Sequence, residues 1–159
     1  YWKQKDIEDL VIVSPDHGSV TRARNLAQPL NCPIAIVDKR RPEPNKSEIM
    51  NIIGDIEGKN CIIVDDMIDT AGTLAKAANV LKDMGAISVR ACATHGILSG
   101  QAIERIHNSV LEEVFITDTI PHPELESDSK IRIVSMSEVF ASIIYKCYNY
   151  ASISGDFVF

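Results

Sequence analysis

The chain has 159 residues, 45% of them hydrophobic and 24% charged, the size and make-up of one globular domain with a sizeable core. Its net charge of −6 and pI near 5.2 argue against a general nucleic-acid-binding surface. No apolar stretch is long enough to cross a bilayer as a helix, so neither nucleic acid nor a membrane is an expected partner.

The chain opens on Tyr1-Trp2, with neither an initiator Met nor a signal-peptide pattern, and reads as though it begins partway through something larger. Residues 9–14 (DLVIVS) read as a buried strand and 18–30 (GSVTRARNLAQPL) as a helix. A second strand at 33–37 (PIAIV) leads into a polar, proline-rich loop, DKRRPEPN, at 38–45. A short strand near 48–53 and a fully apolar one at 60–65 (NCIIVD) follow. The helix from about 72 to 84 carries Leu74, Ala77, Ala78, Leu81 and Met84 on one face, and Gly85 supplies its C-terminal cap. Residues 87–93 form a strand, 99–108 a helix, 113–117 (EVFIT) a strand and 131–134 (IRIV) the last strand. Ser135-Met-Ser-Glu138 reads as a capping box opening a final helix to about Tyr150. Short apolar strands separated by helices predict an α/β fold, a mainly parallel central sheet flanked by helices, in a single domain over 1–159.

Cys32, Cys61, Cys92 and Cys147 form no CxxC pair. Three of them sit in apolar contexts, where free Cys behaves as a small hydrophobe. Reduced structural thiols and a cytoplasmic setting are therefore expected. The four histidines are scattered, and no zinc site is suggested.

CIIVDDMIDTAGTL, residues 61–74, carries the chemistry. Ligands of an open parallel sheet bind beyond the carboxyl ends of its strands, and Asp65 and Asp66 stand at such an end. The loop Asp69-Thr70-Ala71-Gly72-Thr73 feeds a helix N-terminus, whose free N–H groups and dipole attract an anion. Small residues let those N–H groups approach it, and the hydroxyls of Thr70 and Thr73 add hydrogen bonds. The carboxylates beside it suit sugar hydroxyls or a hydrated cation, so a sugar phosphate satisfies both halves. A DDxxD motif alone would equally be solvated strand-end charge beside an ordinary cap. The strand before it and the periodic helix after it favour the site.

VDDMIDTAGT resembles the phosphoribosyl-diphosphate signature of type I phosphoribosyltransferases and ribose-phosphate diphosphokinases. VSPDHGSVTRAR (13–24), DKRRPEPN, ATHGILSG (93–100) and the SIS at 152–154 are similar to the diphosphokinase family in particular. The match runs from about Asp9 to the C-terminus and covers the C-terminal half of a two-domain enzyme. It implies a type I phosphoribosyltransferase-like fold and transfer of the diphosphoryl group of ATP to the 1-hydroxyl of ribose 5-phosphate.

By this resemblance, Asp69 to Thr73 bind the 5-phosphate, Asp65 and Asp66 meet the ribose hydroxyls, and Asp16 is the Mg2+ ligand. Lys39 and Arg41 match residues of the mobile catalytic loop that stabilise the transition state, and Ser152 and Ser154 fall at an allosteric site between subunits. Where the family has Gly-Gly, this chain has Gly18-Ser19, which strains the turn if the second position needs positive φ. His17 is expected to be a variable side chain, and His95 and His107 have no role, His107 lying on the surface. Ribose 5-phosphate and ATP are the implied substrates, and the full-length protein is expected to form a homo-oligomer. The rival readings are a phosphoribosyltransferase, for which no segment supplies a base-binding hood, and a non-catalytic homologue, which loss of Lys39, Arg41 or Asp65 would have favoured.

Overall fold

The apolar runs pair into one sheet of seven strands. The structure, a computed structural model, describes residues 1–40, 49–125 and 127–156, without the side chains at 39, 40, 49 and 50. In chain order the elements are α1 Trp2–Lys5, β1 Leu10–Ser14, α2 Val20–Leu30, β2 Ile34–Arg40, β3 Ile49–Ile53, β4 Asn60–Ile68, α3 Gly72–Asp83, β5 Ser88–Gly96, α4 Ala102–His107, β6 Glu113–Thr117, β7 Ile131–Val134 and α5 Ser137–Tyr148. The strand order is β3-β2-β1-β4-β5-β6-β7. Every neighbouring pair is parallel except β2 with β3. The expected mainly parallel α/β sheet is what the chain forms.

Alternation along the strands sorts the core onto two faces. Val11, Val13, Cys61, Ile63, Ala91 and Ile116 pack on the side covered by α3 and α4. Ile12, Ile62, Val64 and Cys92 pack on the other, with Ala23 and Ala27 of α2 and Trp2 of α1. α1 has no counterpart in the sequence reading, since four residues are too few to show a period. It is fixed by aromatic contact: Tyr1 stacks on Phe115 at 4.9 Å between ring centres and Trp2 meets the same ring edge-on at 6.0 Å. Burial pushes the thiol pKa of Cys61 up to about 11 and that of Cys92 up to about 12, so both are inert core groups. All four cysteines are free. Among the described residues no helix is long and apolar enough to cross a membrane.

Several boundaries differ from expectation. β4 does not stop at Asp65 but runs to Ile68, and β5 does not stop at 93 but runs to Gly96, because the two tails pair with each other as far as Ile68↔Gly96. Asp38, Lys39 and Arg40 lie in β2 and not in a loop, paired antiparallel with Asn51, Met50 and Ile49 of the edge strand β3. The capping box does not form. α5 starts with Met136 as its N-cap, which shifts Glu138 out of the third helical position the box requires. Asp118 holds that end instead, its Oδ1 accepting the Met136 amide at 2.8 Å and its Oδ2 the Ser135 hydroxyl at 2.6 Å. No residue of α5 is buried, and Val139, Phe140, Ile144, Tyr145 and Tyr148 are exposed along it.

The end of α3 is as expected. Gly85 has φ 96°, its amide donates to the Lys82 carbonyl and the Ala86 amide to the Leu81 carbonyl, both at 3.1 Å, the Schellman arrangement.

The segment after β6 is pinned to the end of β5 by His122. Its Nε2 lies 2.6 Å from the Gly96 carbonyl and its Nδ1 2.8 Å from the Glu124 carboxylate. Both partners are acceptors, and only the imidazolium donates from both nitrogens. Burial pushes the His122 pKa down, but the Gly96 carbonyl and the Glu124 carboxylate outweigh it and hold the pKa above its ordinary 6.5. A raised folded-state pKa gives stability that is full below the unfolded value and is lost as pH rises through the folded one. His122→Gln should therefore destabilise the protein to urea more at pH 5.5 than at pH 8.5, values on either side of about 6.5. An equal loss at both pH values would contradict the charged state.

Candidate functional site

In a sheet of this kind the ligand crevice opens where neighbouring strands send their connections in opposite directions. Here that point lies between β1, which leads to β2, and β4, which leads to β5. The connections after β1 and β4 border a cavity of about 300 Å³, lined by Pro15, Asp16, Asp65 and all of Asp69 to Thr73. The structure thus brings together the expected metal ligand, one expected sugar carboxylate and the whole expected phosphate loop.

The two aspartates are not at the strand end. β1 is paired with β4 only as far as Val13↔Ile63, so Asp65 and Asp66 lie on an overhang of β4 held from β5 alone. Alternation turns successive side chains to opposite faces. Asp65 is in the cavity wall, and Asp66 is beside the cavity and not among its lining residues.

Arg22 of α2 spans the pair. Its Nη1 lies 3.2 Å from Asp65 Oδ1 and its Nη2 3.1 Å from Asp66 Oδ2. The three side chains are each more than a third exposed, so the pairing adds little stability, about 0–1 kcal/mol. Its importance is electrostatic. Burial pushes the Asp65 pKa up, aided by the neighbouring Asp66, against the pull of the Asp66 amide and Arg22. Asp66 goes the other way: burial raises its pKa, but Arg22, Asp65 and the Met67 amide together hold it below the ordinary value. Sequence reasoning missed Arg22, which stands 43 residues from Asp65 and reaches it only through the fold.

The loop after β1 is built on Asp16. Its Oδ1 accepts the Ser19 amide at 2.9 Å, and the Ser14 hydroxyl donates to its carbonyl at 2.7 Å. Ser19 has φ −90°, an ordinary conformation, so serine at this position brings no strain. Arg22 Nη1 also donates to the Ser19 hydroxyl at 3.0 Å, tying this loop to the acidic pair. His17 Nε2 lies 3.0 Å from Oδ1 of the buried Asp38 and links the loop to β2.

The loop after β4 ends at α3, whose N-terminus carries no side-chain cap. Its first N–H groups are therefore open to a ligand. Ala71, the N-cap, has φ 57°, a left-handed conformation that costs a non-glycine residue about 1–2 kcal/mol. Asp69 faces backward, its carboxylate accepting the Ser99 hydroxyl.

Other expected residues fall elsewhere. Lys39 stands in β2 opposite Met50, its side chain not described, and Arg41 lies outside the described residues. Ser152 and Ser154 bond to each other at 2.8 Å in the exposed tail and line no part of the cavity. His107 is partly exposed, its Nε2 2.8 Å from Asp128. His95 Nδ1 lies 2.9 Å from the Thr119 hydroxyl. Among the described residues no group of three or more His, Cys, Asp or Glu could hold a metal ion.

An uncapped helix start and two carboxylates around one crevice suit a small anion carrying hydroxyl groups. Comparison with known proteins points the same way. Residues 40–158 match the family model described as phosphoribosyl synthetase-associated domain. The ribose-phosphate pyrophosphokinase of Caldanaerobacter subterraneus subsp. tengcongensis is 56% identical over 155 residues, 97% of this chain and 49% of that protein. That of Bacillus subtilis is 51% identical over 154 residues, again 97% and 49%. The crystal structure of phosphoribosylpyrophosphate synthetase from Mycobacterium smegmatis superposes with a TM-score of 0.81 at 38% identity, over 91% of this chain and 46% of that one. Orotate phosphoribosyltransferase from Aeropyrum pernix shares the fold, with a TM-score of 0.56 at 17% identity over 87% of this chain and 67% of that one. The chain spans about half the length of the curated relatives it matches. With the type I phosphoribosyltransferase sheet and an acidic strand leading into an uncapped helix, the chain belongs to the phosphoribosyl synthetase-associated domain family.

Proposed function

We propose that this chain is the ribose-phosphate-binding part of a ribose-phosphate diphosphokinase. In that reaction the 1-hydroxyl oxygen of ribose 5-phosphate attacks the β-phosphorus of ATP. The bond from that phosphorus to the α-phosphate bridging oxygen breaks, AMP leaves, and the hydroxyl proton is lost. The observation that carries the reading is the uncapped N-terminus of α3 sharing one crevice with Asp65.

The amides of Ala71, Gly72 and Thr73, with the hydroxyls of Thr70 and Thr73, hold the 5-phosphate. Asp65 and Asp66 accept hydrogen bonds from ribose hydroxyls, which ionised carboxylates suit because they are acceptor-only. Arg22 keeps the pair from repelling the phosphate. Asp16 is the residue that would hold Mg2+. One of its oxygens is taken by the Ser19 amide, and a single further carboxylate oxygen suits an ion that keeps waters and substrate phosphates as its other ligands. When bound, the ion supplies charge neutralisation on the diphosphate. Lys39 and Arg41 bring positive charge to the transferring group, the main form of catalysis in phosphoryl transfer. The isolated chain carries the sugar-phosphate site without full turnover. The whole enzyme binds ATP, is a homo-oligomer that uses Ser152 and Ser154 between subunits, and works in the cytoplasm.

Two ligands test the sugar assignment. Asp65→Asn and Asp66→Asn should each weaken ribose 5-phosphate by roughly tenfold to a hundredfold, the value of one charge-assisted hydrogen bond. Inorganic phosphate, which has no diol, should bind each variant about as well as the parent. Calorimetric titration reads both. Equal losses for the two ligands would make the aspartates supports of the loop, and no loss for either would return them to solvated charge.

In the full-length enzyme, Lys39→Ala and Arg41→Ala should each lower kcat by about 10²- to 10³-fold with a much smaller change in KM, as removal of a transition-state donor does. A change confined to KM would make these residues a binding clamp.

A further inference from the structure

The loop from Asp69 to Thr73 is shaped from behind by the segment from Ile97 to Arg105. The amides of Ile97 and Leu98 both donate to the Ile68 carbonyl, at 2.9 and 3.0 Å, and the Ser99 amide donates to the Asp69 carbonyl at 3.1 Å. One turn further on, Arg105 of α4 reaches across, its Nη1 donating to the Thr70 carbonyl at 2.8 Å. Its Nη2 lies 3.5 Å from the Gln101 side-chain carbonyl, which steadies the guanidinium. Arg105 is exposed, so burial of its own side chain does not explain this position.

The Thr70 carbonyl and the Ala71 N–H belong to one planar trans peptide and point in opposite directions. A cation that holds the carbonyl therefore also sets where the N–H points, which is away from Arg105. Turning this peptide over would let Ala71 leave its left-handed conformation, φ 57°, and relieve its strain. The same turn would aim a carbonyl oxygen at a bound phosphate and an N–H at the guanidinium. Both are repulsive, and the bond to Arg105 would be lost.

We infer that Arg105 is a positioning residue: it keeps the Thr70–Ala71 peptide in the orientation that presents the Ala71 N–H to a phosphate group, without touching the ligand. The inference rests on the reading of Asp69 to Thr73 as a phosphate-binding loop. It differs from the role of the acidic pair in acting on the phosphate end of any ligand, with or without a sugar.

The test is calorimetric titration of the whole chain with inorganic phosphate and with ribose 5-phosphate. Arg105→Ala should weaken both ligands alike, by about tenfold, the scale of one hydrogen bond from a charged donor. Arg105→Lys, which still offers a cation to the same carbonyl, should recover most of the loss. Glycine occupies positive φ about as readily as negative, so in an Ala71→Gly background Arg105→Ala should cost no more than about threefold. A loss just as large in that background overturns the positioning role and leaves Arg105 acting as a charge alone. Parent-like affinity in Arg105→Ala overturns the inference while leaving the loop as a phosphate site. A parent chain that binds neither ligand overturns both.

Discussion

β1 and β4 lie side by side in parallel, paired from Leu10↔Asn60 to Val13↔Ile63, although the chain builds β2 and β3 between them. That pairing creates the crevice. β1 turns away after Ser14 toward α2, while β4 continues to Ile68 on the support of β5 alone. The overhang lifts Asp65 and Asp66 above the loop that carries Asp16. It also places the turn into α3 opposite that loop, across a space of about 300 Å³. Each group that faces the cavity is there because of where one strand stops and its neighbour does not.

Charge is the second constraint. Two adjacent carboxylates on one overhang repel each other. The fork of Arg22 offsets this by spanning both aspartates while also holding the Ser19 hydroxyl of the facing loop. One guanidinium thereby links the two sides of the crevice. The opposed shifts of the pair, Asp65 upward under burial and Asp66 downward under Arg22 and its neighbours, keep them from behaving as two identical charges. Such separation within a pair is what functional sites commonly show.

What could be read in the sequence was whatever is local. The apolar strands, the periodic face of α3 and its Gly85 cap follow from residues within one element. The turn into α3 was legible because a helix start is made of consecutive residues. The ends of β4 and β5 were not, since their tails satisfy each other's backbone groups across 28 residues of sequence, and in β4 two aspartates interrupt the apolar run before Met67 and Ile68. Arg22, Ser99 and Arg105 were missed for a related reason: their partners Asp65, Asp69 and Thr70 are 43, 30 and 35 residues away. Ser135 does not form the expected box: its hydroxyl accepts the Ser137 amide, while a distant carboxylate, Asp118, accepts that of Met136. At Ser19 the condition for strain, a positive φ, is not met, since the backbone there has φ −90°.

The claim on which the rest stands is that one ligand joins the α3 N-terminus to the acidic overhang. Titration of 15N-labelled protein with ribose 5-phosphate tests it directly through backbone amide shifts. The amides of Thr70 to Thr73 should move together and saturate, with Asp66 and Met67 moving on the same binding curve. Inorganic phosphate should move the first group alone. Shifts confined to other parts of the chain, or two groups that saturate at different concentrations, would contradict a single sugar-phosphate site.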